Sequence, residues 1–483
     1  MPRYCILAWL MMLLALVGCS PAPAPAPEPP KATLHQQVDV VVVGAGLSGL
    51  STAYHLKKLG WQVQVLESTP RVGGRVRTGS YPHGVGAEVG LAEFWDGNPA
   101  LDLARELNVP LERGELGVSS LFLEGKLYPL TDHPDNQAFL REVLGSDYPA
   151  YQRWDRSMQA HLKSLEEGRI DRSLQNVSME AWLKQSGLTA RGQGVVRAIL
   201  EPEIGTTLSR ISALDGIAEW HLFAGQGAMP NHVVGGNQKL TEALAAAVGP
   251  ENIALNCQVT NILDGPQGVE VRALSSADFS NRSVRARYAV LTVPLYRLFE
   301  IQFEPRLDEE VYKAIHTQMW GAYFTAHVLL DRSAEKYWTF KGHNILPILT
   351  GGPLGVMYPG DSEDPDHVLV NLLVTGDFAE VYNSRTMSLD DVQQKLAQEF
   401  EARFPGIAPA IRRWTFYRYH PRAIAAWPVG RSRFDALSER LRRPHGHLYF
   451  GGDFTESSHS DGATRSALRI RDQIGPRSKA QPG

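Results

Sequence analysis

The sequence predicts an α/β fold in which one parallel-sheet domain is assembled from separated stretches of chain and an α+β domain is inserted between them. Three observations carry this. A valine-rich strand runs into a spaced glycine trio and a helix; short glycine-rich and strand-like blocks return much later in the chain; and the intervening stretches mix amphipathic and alternating patterns. At 483 residues and 53.3 kDa the chain is long enough for two or three cores. Its 43% apolar and 21% charged residues exclude global disorder and a coiled coil. A net charge of −4 leaves no basic excess for a phosphate backbone, so nucleic acid is not expected as a partner.

The chain opens MPRYCILAWLMMLLALVGCS, with one early Arg3 and an apolar run of 14 residues from Tyr4 to Val17. That is short of the ~20 residues a membrane-crossing helix needs and fits the apolar region of an export signal. LVGC at Leu16–Cys19 resembles a bacterial lipoprotein processing box. The resemblance implies a signal over residues 1–18 and a lipid on Cys19; an ordinary membrane anchor is the competing reading. Residues 19–37 then form a linker whose PAPAPAPEPP run favours extended polyproline II. An exported protein, tethered to a membrane on its periplasmic face, is implied, with Ser20 favouring the outer membrane where there are two. Cys5 leaves with the signal and Cys19 carries lipid, so Cys257 stands alone, most simply as a buried structural residue, and neither a disulfide nor a metal centre is expected.

Val38–Glu67 is the most informative stretch. Five valines within Val38–Val43 make a strand apolar on both faces, the mark of a buried parallel sheet. Gly44, Gly46 and Gly49 follow as GxGxxG: a tight turn, a close backbone approach to a pyrophosphate, and a helix packed on its strand. Leu50, Ala53, Tyr54 and Leu56 keep helical spacing until Gly60, and WQVQVLE supplies a second strand ending in Glu67. That acid lies 21 positions beyond Gly46, where it can accept hydrogen bonds from an adenosine ribose.

RVGGRVRT, from Arg71 to Thr78, identifies the dinucleotide. Gly73 and Gly74 permit a second close approach, and Arg75 adds a planar cation for the diphosphate or the flavin edge. Here the chain resembles the flavin-containing amine oxidase superfamily, which also holds protoporphyrinogen oxidases and desaturases. The resemblance implies a discontinuous, Rossmann-like FAD-binding domain. It continues through AEVGLAEFW at Ala87–Trp95, GGNQKLTEALA at Gly235–Ala245, RARYAVLTVP ending at Pro294, and the closing HLYFGGDFTESSHSDGATRSALRIRDQI. It assigns FAD binding to Gly44, Ala45, Gly46, Ser48, Gly49, Glu67, Gly73, Gly74, Arg75, Val259, Gly452 and Asp453. Ser460 or Asp461 is expected to cap a last helix whose N-terminus faces the flavin pyrimidine edge. The FAD domain is placed at residues 38–109, 231–300 and 420–475, and the substrate domain at 110–230 and 301–419.

The chain departs from the amine oxidases in two places. Their lysine in a strand, four positions after a glycine, falls on Thr325 in MWGAYFTAHVLLD, and no lysine lies between Met319 and Asp331. Their aromatic pair falls on Ala423 or Ile424 and on His459. RAIAAWPVG at Arg422–Gly430 is closer to the protoporphyrinogen oxidase branch. Pocket candidates are therefore His459, as acid or base or merely a polar loop residue, Trp427, as pocket wall or core tryptophan, and Thr325. Tyr417, Arg418, Tyr419 and Arg422 read as an acidic-substrate patch or an ordinary strand surface. The leading expectation is hydride removal from a small organic molecule in the manner of protoporphyrinogen oxidases or desaturases. Amine or amino-acid oxidation is the alternative, and a surface-tethered flavin-binding protein without turnover, or a redox-neutral isomerase, the reading from another class.

Overall fold

Gln37–Val43 forms the central strand β1, and its valines divide between two cores. Val40 and Val42 pack on one side with Leu50, Leu56 and Leu240; Val41 and Val43 pack on the other with Leu291 and Phe450. This is why the strand ends in four consecutive valines, Val40–Val43, rather than alternating. The structure is a computed structural model and describes residues 34–80, 86–114, 120–130, 133, 135–220, 229–360, 364–418 and 422–477. The signal, Cys19, the proline linker and Tyr419 lie outside the described residues. Helix α1 (Leu47–Lys58) starts at Gly46 and stops before Gly60, whose φ of +87° needs no side chain in its way. Strand β2 (Val63–Leu66) is wholly buried beside β1, and the parallel sheet grows outward through Ile253–Ala254.

The chain returns to this sheet after a long excursion. Strand β3 (Cys257–Gly265), Gly268–Ser275 and strand β4 (Asn281–Leu291) form an antiparallel meander, and β4 then runs parallel to β1 and to Leu448–Phe450. Gln302–Glu304 also pairs with β3, and Phe303, Leu307, Val311 and Ile315 pack in the same core as Val41. The cofactor body thus continues past residue 300, because the apolar face of this segment packs into its core. Leu111–Arg113 likewise pairs with Pro230–Val233 at its side.

The inserted stretches build the second body. Its seven-stranded mixed sheet runs in the order Ile411–Tyr417, β5 (Tyr323–Asp331), His367–Thr375, Val356–Gly360, Ile348–Leu349, Ser120–Leu123 and Lys126–Tyr128. Helices cover it, among them Tyr148–Glu166, α2 (Ala190–Ile204), α3 (Ala213–Trp220) and Leu389–Arg403. The two bodies meet where Met319–Gly321 pairs with Ile424–Ala426. Among the described residues no helix is long and apolar enough to cross a membrane. The last helix, α4 (Ser460–Ile474), packs against α1, so the end of the chain closes the domain its beginning opened.

Candidate functional site

The glycine turn has the geometry its spacing implies. Gly44 sits at φ +105°, and a Cβ on Gly49 would lie 2.0 Å from the Gly44 carbonyl oxygen and 2.6 Å from Thr292 Oγ1. A Cβ on Gly46 would meet nothing within 4 Å, so this face of the turn is open at the N-terminus of α1, where unpaired N–H groups favour an anion. The second glycine loop lies alongside: Gly73 N donates to Ala45 O at 2.8 Å, and a Cβ on Gly74 would lie 3.2 Å from Gly46 Cα. Glu67 ends β2 with Oε2 accepting from Ala45 N (2.8 Å) and Oε1 from Thr69 N (2.9 Å), which fixes its carboxylate beside the turn. In β3 the pairing register slips directly after Val259, leaving Thr260 without an opposite residue where the resemblance places the adenine. An open phosphate-facing turn, a second glycine loop and a fixed ribose acid fit FAD.

Three residues assigned to FAD have further or different work. Ser48 Oγ lies 2.9 Å from Ser466 Oγ, which also accepts from Gly452 N at 2.9 Å, so Ser48 locks α1 to α4 instead of reaching outward. Arg75, expected as a cation for the diphosphate or flavin edge, holds the Asp453 carboxylate through two bonds of 2.7 and 2.8 Å and donates to Ala423 O. Asp453, 1% exposed, also accepts from Ala425 N at 3.1 Å. The pair therefore ties the second glycine loop to the last segment of the cofactor body, and its charges already satisfy each other.

The pocket candidates separate. Trp427 is fully buried, donates from Nε1 to Ser438 Oγ at 3.1 Å and packs in the sheet core: it is a core tryptophan and not a pocket wall. Thr325 is 5% exposed on β5 opposite Tyr417, and its Oγ1 has no hydrogen-bond partner among the described residues. Tyr417 accepts from Arg77 at 3.1 Å, Arg418 donates to Met387 O and Arg422 stacks on Tyr296, so these side chains do not gather into one acid-binding patch. Helix α4 is not capped by a side chain, contrary to expectation: Ser460 Oγ accepts from Asn98, and Asp461 accepts from Ser457 one turn back.

His459, the residue before α4, is the candidate that leads somewhere. Its Nε2 lies 3.0 Å from Glu219 Oε2 and 4.0 Å from Glu203 Oε2. Glu219 Oε1 accepts from Ser458 Oγ at 3.1 Å and from Arg433, and Arg433 Nε donates to Asp215 at 2.8 Å. All eight residues of α3 are buried, so Asp215 and Glu219, one turn apart on it, need partners, and Arg433 meets both. Burial pushes the Glu219 carboxyl up, but Arg433 and His459 outweigh it and hold it well below the usual range. Burial works against a charged His459 too, yet Glu219 overrides it and lifts the imidazole to about 9.

Two more carboxyls complete this wall. Glu203, the penultimate residue of α2, is lifted to about 8 by burial, with Glu93 and Glu219 adding to the effect and His459 opposing it. Glu93 is lifted to about 7 by burial. Neither carboxyl accepts a hydrogen bond among the described residues, and Glu93 has no ion-pair partner there. The sequence reading missed Glu93, Glu203, Asp215, Glu219 and Arg433. The one available signal was ALDGIAEW, where two acids share a face of an otherwise apolar helix.

Comparison with known proteins agrees with the fold and with FAD as the cofactor. The family described as flavin containing amine oxidoreductase matches residues 47–474. A probable flavin-containing monoamine oxidase A of Dictyostelium discoideum is 21% identical over 90% of this chain and 97% of its own. An L-amino-acid oxidase of Bothrops moojeni is 25% identical over 89% of this chain and 88% of its own. Among solved structures, putrescine oxidase bound to putrescine superposes with a TM-score of 0.77 at 20% identity, covering 91% of this chain and 99% of that one. Cyclohexylamine oxidase from Brevibacterium oxydans gives 0.73 at 19%, covering 90% and 99%. These relatives favour the amine and amino-acid alternative over the protoporphyrinogen oxidase-like expectation. The chain belongs to the flavin-containing amine oxidoreductase family and is an FAD-dependent oxidoreductase.

Proposed function

We propose that this enzyme oxidises the C–N bond of a primary amine. One observation carries the reading: Glu203 stands 4.0 Å from His459, the residue before α4, Glu93 is close enough to raise its affinity for a proton, and neither carboxyl has a hydrogen-bond donor among the described residues. Two half-buried carboxyls that share one imidazolium, which Glu219 already engages, stay protonated or take a further cation from a ligand, and an ammonium is that cation. A substrate carrying its own carboxylates, such as an amino acid or a porphyrinogen with acidic side arms, adds anions to the same wall and is disfavoured.

Gly46, Gly49, Gly73, Gly74 and Glu67 would hold the FAD, with Arg75 and Asp453 bracing the loops around it. Bound FAD supplies a two-electron acceptor for a hydride. The chain orients the amine through the acidic wall. The test is acceptor reduction by FAD-loaded enzyme with matched panels of primary amines, L-amino acids and a porphyrinogen. Turnover with amines is expected; turnover with either acidic class and none with amines overturns the reading.

We also propose that the protein is an exported lipoprotein anchored through Cys19 to the periplasmic face of a membrane. LVGC after a short apolar run and the extended spacer behind it support this. Full-length protein should partition into detergent and take up labelled palmitate in cells, and Cys19→Ala should do neither; an unlabelled wild type contradicts the anchor.

A further inference from the structure

We propose that Glu203 is the group that takes the proton from the substrate's ammonium, and that Asp215, Arg433, Glu219 and His459 form a chain of positioning residues that leaves it free to do so. This deepens the amine reading and rests on it. An amine gives up an α-hydride only when its nitrogen has a lone pair, so the ammonium must first be deprotonated. No lysine lies on β5 for this purpose, and Thr325 is buried in that strand.

Most other groups at the wall are already engaged. Asp215 is fully buried and is held by Arg433 and Ser212. Glu219 is 1% exposed, with one oxygen on Arg433 and Ser458 and the other on His459. Tyr323, from β5, donates its hydroxyl to the Glu203 carbonyl at 2.9 Å, and burial holds that phenol far above its ordinary value. His459, held at about 9 by Glu219 with help from Glu203 and Asp461, already carries its proton through the neutral range. Glu93 interacts with Glu203 and shares the cation, but burial raises it less, to about 7. Glu203 remains: its side chain is 20% exposed, its oxygens accept no hydrogen bond among the described residues, and its affinity for a proton comes nearest to that of an amine.

The step balances without any change of oxidation state. The arriving cation first displaces to solvent the proton Glu203 carries at neutral pH; an N–H bond of the ammonium then breaks, an O–H bond forms on the Glu203 carboxylate, and a neutral amine and a carboxylic acid result, with one proton released overall. Glu219 matters because the His459 imidazolium, 4.0 Å from Glu203, would otherwise pair with it and occupy the acceptor. Arg433 keeps Glu219 in place for that task.

The probe is tert-butylamine, which has no α-hydrogen and so binds without turnover. Its binding to FAD-loaded enzyme is followed by the perturbed flavin absorbance, and protons are counted with an indicator in weak buffer near pH 7. Near neutral pH Glu203 is mostly protonated, so binding of the cation should release about one proton per amine. Glu203→Gln should lose most of that release and bind tert-butylamine at least ~10-fold more weakly, whereas Glu203→Asp should restore it. In wild type alone, affinity should rise with pH up to about 8 and then level off; this arm needs no variant to fold. Equal proton release by wild type and Glu203→Gln, or a pH-independent affinity below 8, overturns the assignment to Glu203 and leaves the amine reading intact. Failure of wild type to bind tert-butylamine, together with no turnover of any amine, overturns the amine reading itself.

Discussion

Replacing Arg75 by Leu should destabilise the protein through a residue 378 positions away in sequence. Asp453 is 1% exposed and accepts two Arg75 bonds of 2.7 and 2.8 Å, with a single neutral donor, Ala425 N at 3.1 Å, beside them. Removing the guanidinium leaves a buried carboxylate with that one donor. Breaking a buried pair from one side costs ~3–5 kcal/mol, and the third of the Arg75 side chain that meets solvent places this case near ~3. At roughly 2 °C per kcal/mol, the midpoint of thermal unfolding should fall by ~6 °C. The double variant Arg75→Leu with Asp453→Leu removes both charges and should recover at least half of the loss, because no unpaired carboxylate remains. Circular dichroism melts at matched FAD saturation measure all the forms. An unchanged midpoint in Arg75→Leu, or a double variant that falls by the full sum of the singles, refutes the bracing role and returns Arg75 to a purely cofactor-facing one.

Further outcomes follow from individual contacts. Gly49→Ala places a Cβ 2.0 Å from a backbone oxygen, so α1 must shift off the turn, and FAD per chain should drop by at least ~10-fold on purification. Trp427→Phe loses the bond to Ser438 and some core area, costing ~1–2 kcal/mol in a denaturant melt with KM for the amine unchanged; a raised KM at full stability would restore the pocket-wall reading. Glu219→Gln should lower the His459 imidazole from about 9 toward its ordinary 6.5. Because a raised histidine stabilises fully below about 6.5 and loses that contribution as pH passes about 9, the stability gap between wild type and Glu219→Gln should narrow steadily over that window. A gap constant with pH would mean that His459 is not held charged.

The parts of the fold that were legible are those set by short-range physics. The Val38–Val43 run could only be a strand buried on both faces, and the glycine spacing, helix period and terminal Glu67 all lie within thirty residues. The return segments were placed by their resemblance, and the boundary at 300 was missed because Gln302–Glu304 carries no local mark of which sheet it joins. Local reasoning also put a side-chain cap on α4, where Asn98 and Ser457 had claimed Ser460 and Asp461 from elsewhere in the chain. The acidic wall was illegible for a stronger reason. Glu93, Glu203, Glu219, Arg433 and His459 come from five separate stretches, and nothing in their spacing announces that a buried helix will bring them together. What the sequence did show was an absence, the missing strand lysine, and that pointed away from amines; the carboxyls proposed for the proton carry no such local mark.

The central claim is most directly tested by mixing FAD-loaded enzyme anaerobically with primary amines and following flavin absorbance. Amine oxidation predicts bleaching of the oxidised spectrum by at least one primary amine, faster as pH rises toward about 8. A flavin that stays oxidised with every amine but bleaches with a porphyrinogen or an L-amino acid contradicts it.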